Sequence, residues 1–337
     1  MSDLVSLIVP VYNGEKYISS FYDQFAAQTF KNIELVFVND GSTDGSSDML
    51  QRLAAKDNRI KLYQKSNGGP ASARNLGKAV ATGDYILFAD IDDYMLPTYV
   101  EYLFNLISKE NADMSSCVSI KVDRTENWSN LLHNDKEIIN VWNTDEAIHS
   151  FCYRILLNGY SVLKMYRKDV ANMEVFPENI FEAEDYIFAY RTIKNCKKVV
   201  CGNQVQYIYF QNPDSISHQK GDTTQKYYDR WNAFLEIAED VKNSYFDSYP
   251  GIITKCYLIA ITDANRLFSK KRDSYFQREL YGFMRDHAKI VATDPSGKIS
   301  TKLLGIAGMI NPHIVTGICR IIFSYQAHFG MIMRRGL

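Results

Sequence analysis

Four short apolar runs, each closing on a polar or glycine-rich turn and each followed by a helical pattern, govern what the first hundred residues can fold into. Val5 to Val11 stops at Tyr12-Asn13-Gly14, after which Tyr17, Ile18, Phe21 and Phe25 recur at helical spacing. Ile33 to Val38 closes on Asn39-Asp40-Gly41-Ser42, ahead of a helix bearing Met49, Leu50 and Leu53. Ile60 to Tyr63 precedes a helix over Ala71 to Ala81. Tyr85 to Ala89 runs into Asp90-Ile91-Asp92-Asp93, with a further helix carrying Val100, Leu103, Phe104 and Ile107. This alternation predicts an α/β fold with a mostly parallel, Rossmann-like sheet and helices on both faces. Ligands of such sheets sit beyond the carboxyl ends of the strands. Here those ends carry Tyr12-Asn13, Asn39-Asp40 and Asp90 to Asp93.

Beyond Ile107 the pattern thins. Asp113 to Val122 reads as a strand, Asp123 to Asn143 as a polar loop or insertion, and Val162 to Tyr166 as another strand. Glu184 to Ile193 reads as a short helix with Ile187, Phe188 and Tyr190 inward, and Tyr207 to Phe210 as a strand. Past Gly221 the spacing is helical over Thr224 to Val241, Ile252 to Phe268 and Tyr275 to Ile290. Residues 1–220 are therefore expected to form one domain and residues 221–337 a helical C-terminal region, the length being about that of two average domains. With 46% hydrophobic and 23% charged residues, a disordered tail protein, a collagen and a polytopic membrane protein are all disfavoured. Lys plus Arg at 38 against Asp plus Glu at 39 argues against a nucleic-acid partner and makes any polyanion site local. The six cysteines, Cys117, Cys152, Cys196, Cys201, Cys256 and Cys319, show no zinc or thioredoxin spacing and read as reduced thiols. The start Met-Ser-Asp-Leu-Val-Ser lacks the features of a signal peptide, so a cytoplasmic protein is expected.

The chemistry concentrates at the strand tips. In an extended chain Asp90 and Asp92 project to one side as paired carboxylates while Ile91 turns into packing. Such a pair repels unless a cation lies near, and a divalent ion completed by substrate phosphates satisfies it, Mg²⁺ and Mn²⁺ favouring oxygen ligands. The same residues also fit a solvated acidic turn capping the helix that starts near Pro97. Asp40 leads into Gly41-Ser42-Thr43-Asp44-Gly45-Ser46, where Asp44 or Ser46 fits an N-cap. Asn67-Gly68-Gly69-Pro70-Ala71-Ser72-Ala73-Arg74-Asn75 opens another helix, whose N-terminus attracts anions and whose Arg74 adds a fixed positive charge. It fits neither GxxxxGK[ST] nor GxGxxG.

Taken in order, Val5 to Asn13 (VSLIVPVYN), Ile33 to Ser46 (IELVFVNDGSTDGS), Asn67 to Gly77 (NGGPASARNLG) and Gly83 to Asp93 (GDYILFADIDD) resemble the nucleotide-sugar-binding half of the inverting family-2 glycosyltransferases with the GT-A fold. The resemblance implies that Pro10, Tyr12 and Asp40 border the nucleobase and that Gly69 and Arg74 lie near the nucleotide. It also implies that Asp90, Ile91 and Asp92 form the DxD element at ribose, diphosphate and a Mn²⁺ or Mg²⁺ ion. A UDP-sugar is the implied donor. More thinly, Phe181-Glu182-Ala183-Glu184-Asp185-Tyr186-Ile187-Phe188 resembles the segment holding the family's general base, which falls on Asp185. A positioned carboxylate contributes roughly 10²–10⁴-fold to deprotonating an attacking hydroxyl. Glu184-Asp185 equally fits favourable charge in a helix's first turn. Tyr207 to His218 resembles the late loop that closes over the diphosphate, with Phe210 where relatives often carry Arg, so that Lys220 or His218 substitutes. His218 is also a candidate metal ligand. Lys164 in Leu163-Lys164-Met165-Tyr166-Arg167 matches a KLYR-like family segment, and a surface strand lysine explains it equally.

Past Asp294 the sequence carries Lys298, Lys302, Arg320, Arg334 and Arg335 and no acidic residue. Its longest uncharged run, Leu303 to Cys319, falls short of the roughly 20 apolar residues that span a bilayer. Ile314, Ile318, Ile321, Ile322 and Tyr325 recur at helical spacing, which fits an interfacial helix on an anionic leaflet or a terminal helix docked on the protein. The expectation is a cytoplasmic enzyme, peripheral on the inner face of the plasma membrane. It would move a sugar from a UDP-sugar to a hydroxyl of a glycan or lipid-linked saccharide in polysaccharide biosynthesis. One alternative is a sugar-phosphate nucleotidyltransferase, against which Pro10 to Lys16 (PVYNGEK) lacks a basic triphosphate loop. The other is a catalytically silent membrane-bound scaffold, to which Phe210 points.

Overall fold

In the computed structural model, the described residues are 3–123, 132, 136–180, 182–211, 223–270 and 274–321. They fall into two compact units, Met1–Gly221 and Asp222–Leu337. The first unit is built on a sheet of nine strands among the described residues: β1 (Val5–Val11), β2 (Ile33–Asp40), β3 (Ile60–Lys65), β4 (Tyr85–Phe88), β5 (Tyr94–Met95), β6 (Met114–Asp123), β7 (Ile139–Trp142), β8 (Lys164–Arg167) and β9 (Val199–Gln211). Their order is β3-β2-β1-β4-β8-β6-β9-β5, with β7 also paired to β9.

The strands β3, β2, β1 and β4 run parallel, as the alternating pattern predicts. They alternate in sequence with α1 (Glu15–Ala26), α2 (Ser46–Lys56) and α3 (Gly69–Val80). Every residue of β2 and β4, and all of β1 except Pro10, is buried. A strand covered on both faces reads as an unbroken apolar run rather than as an alternation. Beyond β4 the sheet is mixed: β8 is antiparallel to β4 and β6, β5 and β7 are antiparallel to β9, and β6 and β9 are parallel. The winding reverses between β1 and β4, which leaves a crevice at the carboxyl ends of these neighbours.

The polar segment expected to be a loop holds β7 at Ile139–Trp142. This edge strand keeps its side chains half-buried or exposed, so it carries no hydrophobic signature. It leads into α5 (Thr144–Tyr153), which Asn143 opens with a capping box. The Asn143 side chain accepts from the Glu146 amide at 3.0 Å, and the Glu146 carboxylate accepts from the Asn143 amide at 3.0 Å. The strand expected from Val162 starts instead at Lys164, after a 3-10 turn at Ser161–Leu163. Helices α4 (Tyr99–Lys109), α6 (Lys168–Ala171) and α7 (Glu184–Asn195) complete the unit, and Ile187, Phe188 and Tyr190 are buried as expected.

The second unit is helical: α8 (Thr223–Ser244), α9 (Tyr249–Lys270), α10 (Ser274–Thr293), α11 (Ile299–Ile310) and α12 (312–321). Trp231 is buried, donates its indole N–H to Glu279 at 2.8 Å and meets Phe283 edge-on. Asp263 of α9 is buried and paired with Arg230 of α8. Among the described residues no helix is long and apolar enough to cross a membrane.

Helix α3 lies close against the sheet at Gly77. A Cβ there would sit 2.3 Å from Ile8 Cγ2 and 3.4 Å from Val38 Cγ2, both on buried strands. We expect Gly77→Val to cost about 1–3 kcal/mol through overpacking. Denaturant unfolding measures it, and an unchanged midpoint would show that the helix can slide.

Candidate active site

At the carboxyl ends of β1 and β2 two loops are knitted together. The Asn13 amide donates to Ser42 Oγ at 3.0 Å, and Asn13 Oδ1 accepts from the Thr43 amide at 2.8 Å. Glu15 Oε2 accepts from the Gly45 amide at 2.9 Å, and Asp44 Oδ2 accepts from the Glu15 amide at 3.1 Å. The N-cap of α2 is Gly45, so Asp44 and Ser46 serve this cross-loop network rather than capping from that position. Above it the Tyr12 ring stands 42% exposed, while Pro10 is half-buried. Asp40 is buried and fully engaged. Its carboxylate accepts from Lys65 Nζ at 2.7 Å, from the Gly68 amide at 3.0 Å and from the Gly69 amide at 2.7 Å. It thereby seats the start of α3, where Gly69 takes the left-handed φ of +84° that glycine tolerates.

One turn into α3, Arg74 gathers three carboxylates. Its Nη2 donates to Asp90 Oδ1 at 2.9 Å, and its Nη1 donates to Glu184 Oε1 at 3.2 Å and to Asp185 Oδ1 at 3.1 Å. Asp90 follows β4, whereas Glu184 and Asp185 open α7. The residue ahead of that helix, Ala183, holds φ at +79°, a conformation costing an alanine about 1–2 kcal/mol. The guanidinium lies over Phe176, 5.6 Å from the ring centroid, and Phe176 stacks on Phe188 of α7 at 3.9 Å. Asn75 pins that segment: its amide donates to the Phe176 carbonyl at 2.8 Å, and its Oδ1 accepts from the Phe176 amide at 2.9 Å. Ser161 supports Asp185, its Oγ donating to Oδ1 at 3.1 Å and its amide to Oδ2 at 3.4 Å.

The acidic run after β4 departs from expectation. The Asp93 amide donates to the Asp90 carbonyl at 3.2 Å, so Asp90 to Asp93 form a turn and not an extended strand. The i, i+2 projection therefore does not apply. Asp90, Ile91 and Asp92 are half-buried on this turn, with Ile91 packed towards Gly14. Asp93 is the buried member. It accepts from the Phe210 amide at 3.0 Å and from the Tyr207 hydroxyl, which itself accepts from the Asp90 amide at 3.1 Å. Phe210 thus ties its strand to the turn through its backbone. His218 and Lys220 lie outside the described residues.

Among the described residues Arg74 is the cation hydrogen-bonded to all three carboxylates, and the buried Lys164 acts on Asp185 through space. Burial, with Asp185 adding to it, pushes the Glu184 carboxyl up to about 7 despite Arg74. Burial also raises Asp185, with Arg74 opposing and Asp90 reinforcing the shift. Asp93 is raised well above the carboxylate range by burial and then by Asp90 and Asp92. Lys164 proves to be wholly buried rather than a surface strand lysine. It donates to the Tyr160 carbonyl at 2.7 Å and to Asn158 Oδ1 at 3.2 Å, and burial lowers it to about 8.

Among the described residues no three or more His, Cys, Asp or Glu side chains form a closed metal site. Asp90 and Asp92 nonetheless offer the hard oxygen donors that Mg²⁺ and Mn²⁺ use when substrate phosphates and water complete the shell. The surplus acid in this turn, with Asp93 Oδ2 buried and unbonded, fits a nearby cation. Sequence reasoning thus placed Asp90, Asp185 and Arg74, which the structure brings together. It missed Glu184, Ser161, Asn75, Phe176 and Asp93. Glu184 and Asp93 were visible as further acids in their runs, whereas Ser161 and Phe176 carry no local signal.

Glu184 takes up its proton more readily in the folded state. Its stabilising contribution is therefore complete below the ordinary value of 4.5 and is lost as pH rises through about 7. Relative to the parent, Glu184→Gln should gain on the order of 1–3 kcal/mol between pH 5 and pH 8. Melts of both proteins across that range measure it, and a difference independent of pH would contradict the assignment.

Residues 6–172, about half of the chain, match the family model of glycosyl transferase family 2. The chain is 32% identical over 222 residues to EpsJ, an uncharacterized glycosyltransferase of Bacillus subtilis, the match covering 64% of each chain. That is less than two thirds of EpsJ's own length. Among solved structures it is similar to S. aureus TarS 1–349 in complex with UDP-GlcNAc, with TM-score 0.68 and 20% identity over 93% of this chain and 89% of that one. It is also similar to the mannosyltransferase PcManGT from Pyrobaculum calidifontis in complex with GDP-Man and Mn²⁺, with TM-score 0.53 and 15% identity over 93% and 86%. At these identities the structural likeness establishes the GT-A fold alone. With strand tips, sheet order and sequence match in agreement, the chain belongs to glycosyl transferase family 2.

Proposed function

We propose that the chain transfers a sugar, with inversion, from a UDP-sugar to a hydroxyl of a glycan or lipid-linked saccharide during polysaccharide assembly. One observation carries this reading. Arg74 bonds Asp90 of the DxD turn with one nitrogen and Asp185 of α7 with the other, so donor-side and acceptor-side carboxylates share a site. Pro10, the exposed Tyr12 ring and the loop seated by Asp40 border the nucleobase, and Gly69 with Arg74 faces the nucleotide. TarS in complex with UDP-GlcNAc supports a uridine diphosphate donor for this fold.

In the proposed single displacement, the acceptor hydroxyl loses its proton to Asp185 as it attacks the anomeric carbon from the face opposite the leaving diphosphate. Burial makes Asp185 a stronger base than a free carboxylate, and Ser161 holds it in place. Arg74 keeps a permanent positive charge beside the position where the diphosphate's charge grows. Asp90 and Asp92 would hold a Mn²⁺ or Mg²⁺ ion, which when bound neutralises charge on the departing diphosphate. The Mn²⁺ complex of PcManGT supports a divalent ion in this fold. We place the protein in the cytoplasm, peripheral on the inner membrane face, because its sequence after Asp294 is cationic and the acceptors proposed here include lipid-linked saccharides.

Labelled UDP-sugars with Mn²⁺ and a membrane lipid extract test the reading. Asp185→Asn should slow transfer by about 10²–10⁴-fold while donor affinity stays within about twofold. Asp92→Ala should weaken donor binding in Mn²⁺ but not in chelator. Full transfer by Asp185→Asn would overturn the base. Pyrophosphate release from UTP and a sugar phosphate would replace the class with a nucleotidyltransferase, and silence across donors and acceptors would replace it with a scaffold.

A further inference from the structure

Helix α11 is built with its small residues inward and its large ones outward. Its buried positions are Thr301, Gly305 and Gly308. A Cβ on Gly305 would lie 2.5 Å from the Ala292 amide nitrogen and 2.9 Å from the Ala288 carbonyl oxygen of α10. A Cβ on Gly308 would lie 1.9 Å from the Tyr257 hydroxyl of α9. At Gly305 the backbones approach so closely that only glycine fits, and at Gly308 a side chain would have to displace the Tyr257 ring. On the opposite face Ile299, Leu303, Ile306 and Ile310 follow one another at i, i+4, i+7 and i+11, with Met309 beside them, all 51–79% exposed. Past Asn311 the exposed apolar series continues on α12 with Ile314, Ile318 and Ile321.

A helix bathed in water shows the reverse arrangement, its large apolar side chains facing the core. Small residues between helices with large aliphatics outside is the packing found where the surrounding medium is itself apolar. At 12 residues α11 is too short to span a bilayer, so an apolar medium can meet it only along its length, at an interface. The charges carried by this stretch of the sequence are of one sign. Lys298 precedes α11, Lys302 lies one turn from both Ile299 and Ile306, and the sequence holds no Asp or Glu after Asp294. A lysine so placed lays its methylenes along the apolar stripe and raises its ammonium to headgroup level. A second copy of the chain would set these cationic rims against each other, whereas anionic lipid complements them.

We infer that the outward faces of α11 and α12 form a docking surface for an anionic lipid leaflet. The stripe from Ile299 to Ile321 enters the headgroup–acyl boundary, and Lys298 and Lys302 meet the lipid phosphates. This rests on the peripheral-membrane part of the proposed function and names the surface that performs it.

The test is flotation of the full chain with vesicles of phosphatidylglycerol and phosphatidylcholine, against phosphatidylcholine alone. Thermal shift with UDP-sugar and Mn²⁺, followed in parallel, reports the donor site separately. The parent should float with the anionic vesicles and dissociate as salt is raised. Ile306→Asp with Ile310→Asp should lower vesicle binding at least about tenfold. Lys298→Glu with Lys302→Glu, at an exposed and a half-buried position, should remove the preference for anionic lipid. Both variants should keep the parent's donor-induced shift. No flotation of the parent, or equal flotation of parent and Asp variant, overturns the inference. So does a parent dimer that the Asp variant breaks without any change in vesicle binding, which assigns the face to a second copy. Loss of the donor shift in the parent counts against the donor reading and leaves the vesicle result standing.

Discussion

The Arg74 guanidinium lies buried against Asp90, Glu184 and Asp185, and a buried charge is tolerated only where its partners hold their places. Much of the first unit serves that condition. Asp40 seats the first turn of α3 through the Gly68 and Gly69 amides, and Gly77 lets the same helix approach Ile8 and Val38. Asn75 fixes Phe176 beneath the guanidinium, and Phe176 stacks on Phe188. Ser161 steadies Asp185 from β8's side of the sheet order. Positions as far apart in sequence as Arg74 and Asp185 thereby become neighbours.

The same arithmetic of charge sorts the acids by task. Asp40 is neutralised by Lys65 and two amides, and Asp93 is buried under Phe210 and Tyr207, so both act as anchors. Asp90, Glu184 and Asp185 share the Arg74 guanidinium, and burial with mutual repulsion lifts Glu184 and Asp185 despite it. Surplus negative charge of this kind accommodates an added cation. Burial likewise raises the proton affinity of Asp185.

The parallel half of the fold was legible because burial on both faces writes apolar runs without interruption, as in Ile33 to Val38, and because each run ended in a polar tip. The candidate site was legible only as separate pieces. Nothing local says that Arg74 reaches Asp185, and the turn at Asp90 to Asp93 depends on β9 supplying Tyr207 and Phe210. Strand β7 escaped notice because an edge strand with exposed side chains lacks a hydrophobic period. Helix α5 was missed as well, although Asn143-Thr144-Asp145-Glu146 carries the capping box that opens it. Ser161 and Phe176 could not be found from sequence, since their roles arise wholly from contacts across the fold.

The second unit follows a different rule, with glycines at the contact of α11 with α9 and α10 and isoleucines outside. The joining of the Asp90–Asp93 turn to α7 through one guanidinium is the central claim, and a double-mutant cycle on folding stability addresses it without knowledge of donor or acceptor. Arg74→Met and Asp185→Asn, singly and together, are measured by urea unfolding at pH 8. The expected result is that Asp185→Asn costs far less in the Arg74→Met background than in the parent, with a coupling energy of about 1–3 kcal/mol. Additive effects, with coupling within about 0.5 kcal/mol of zero, would contradict the shared cluster.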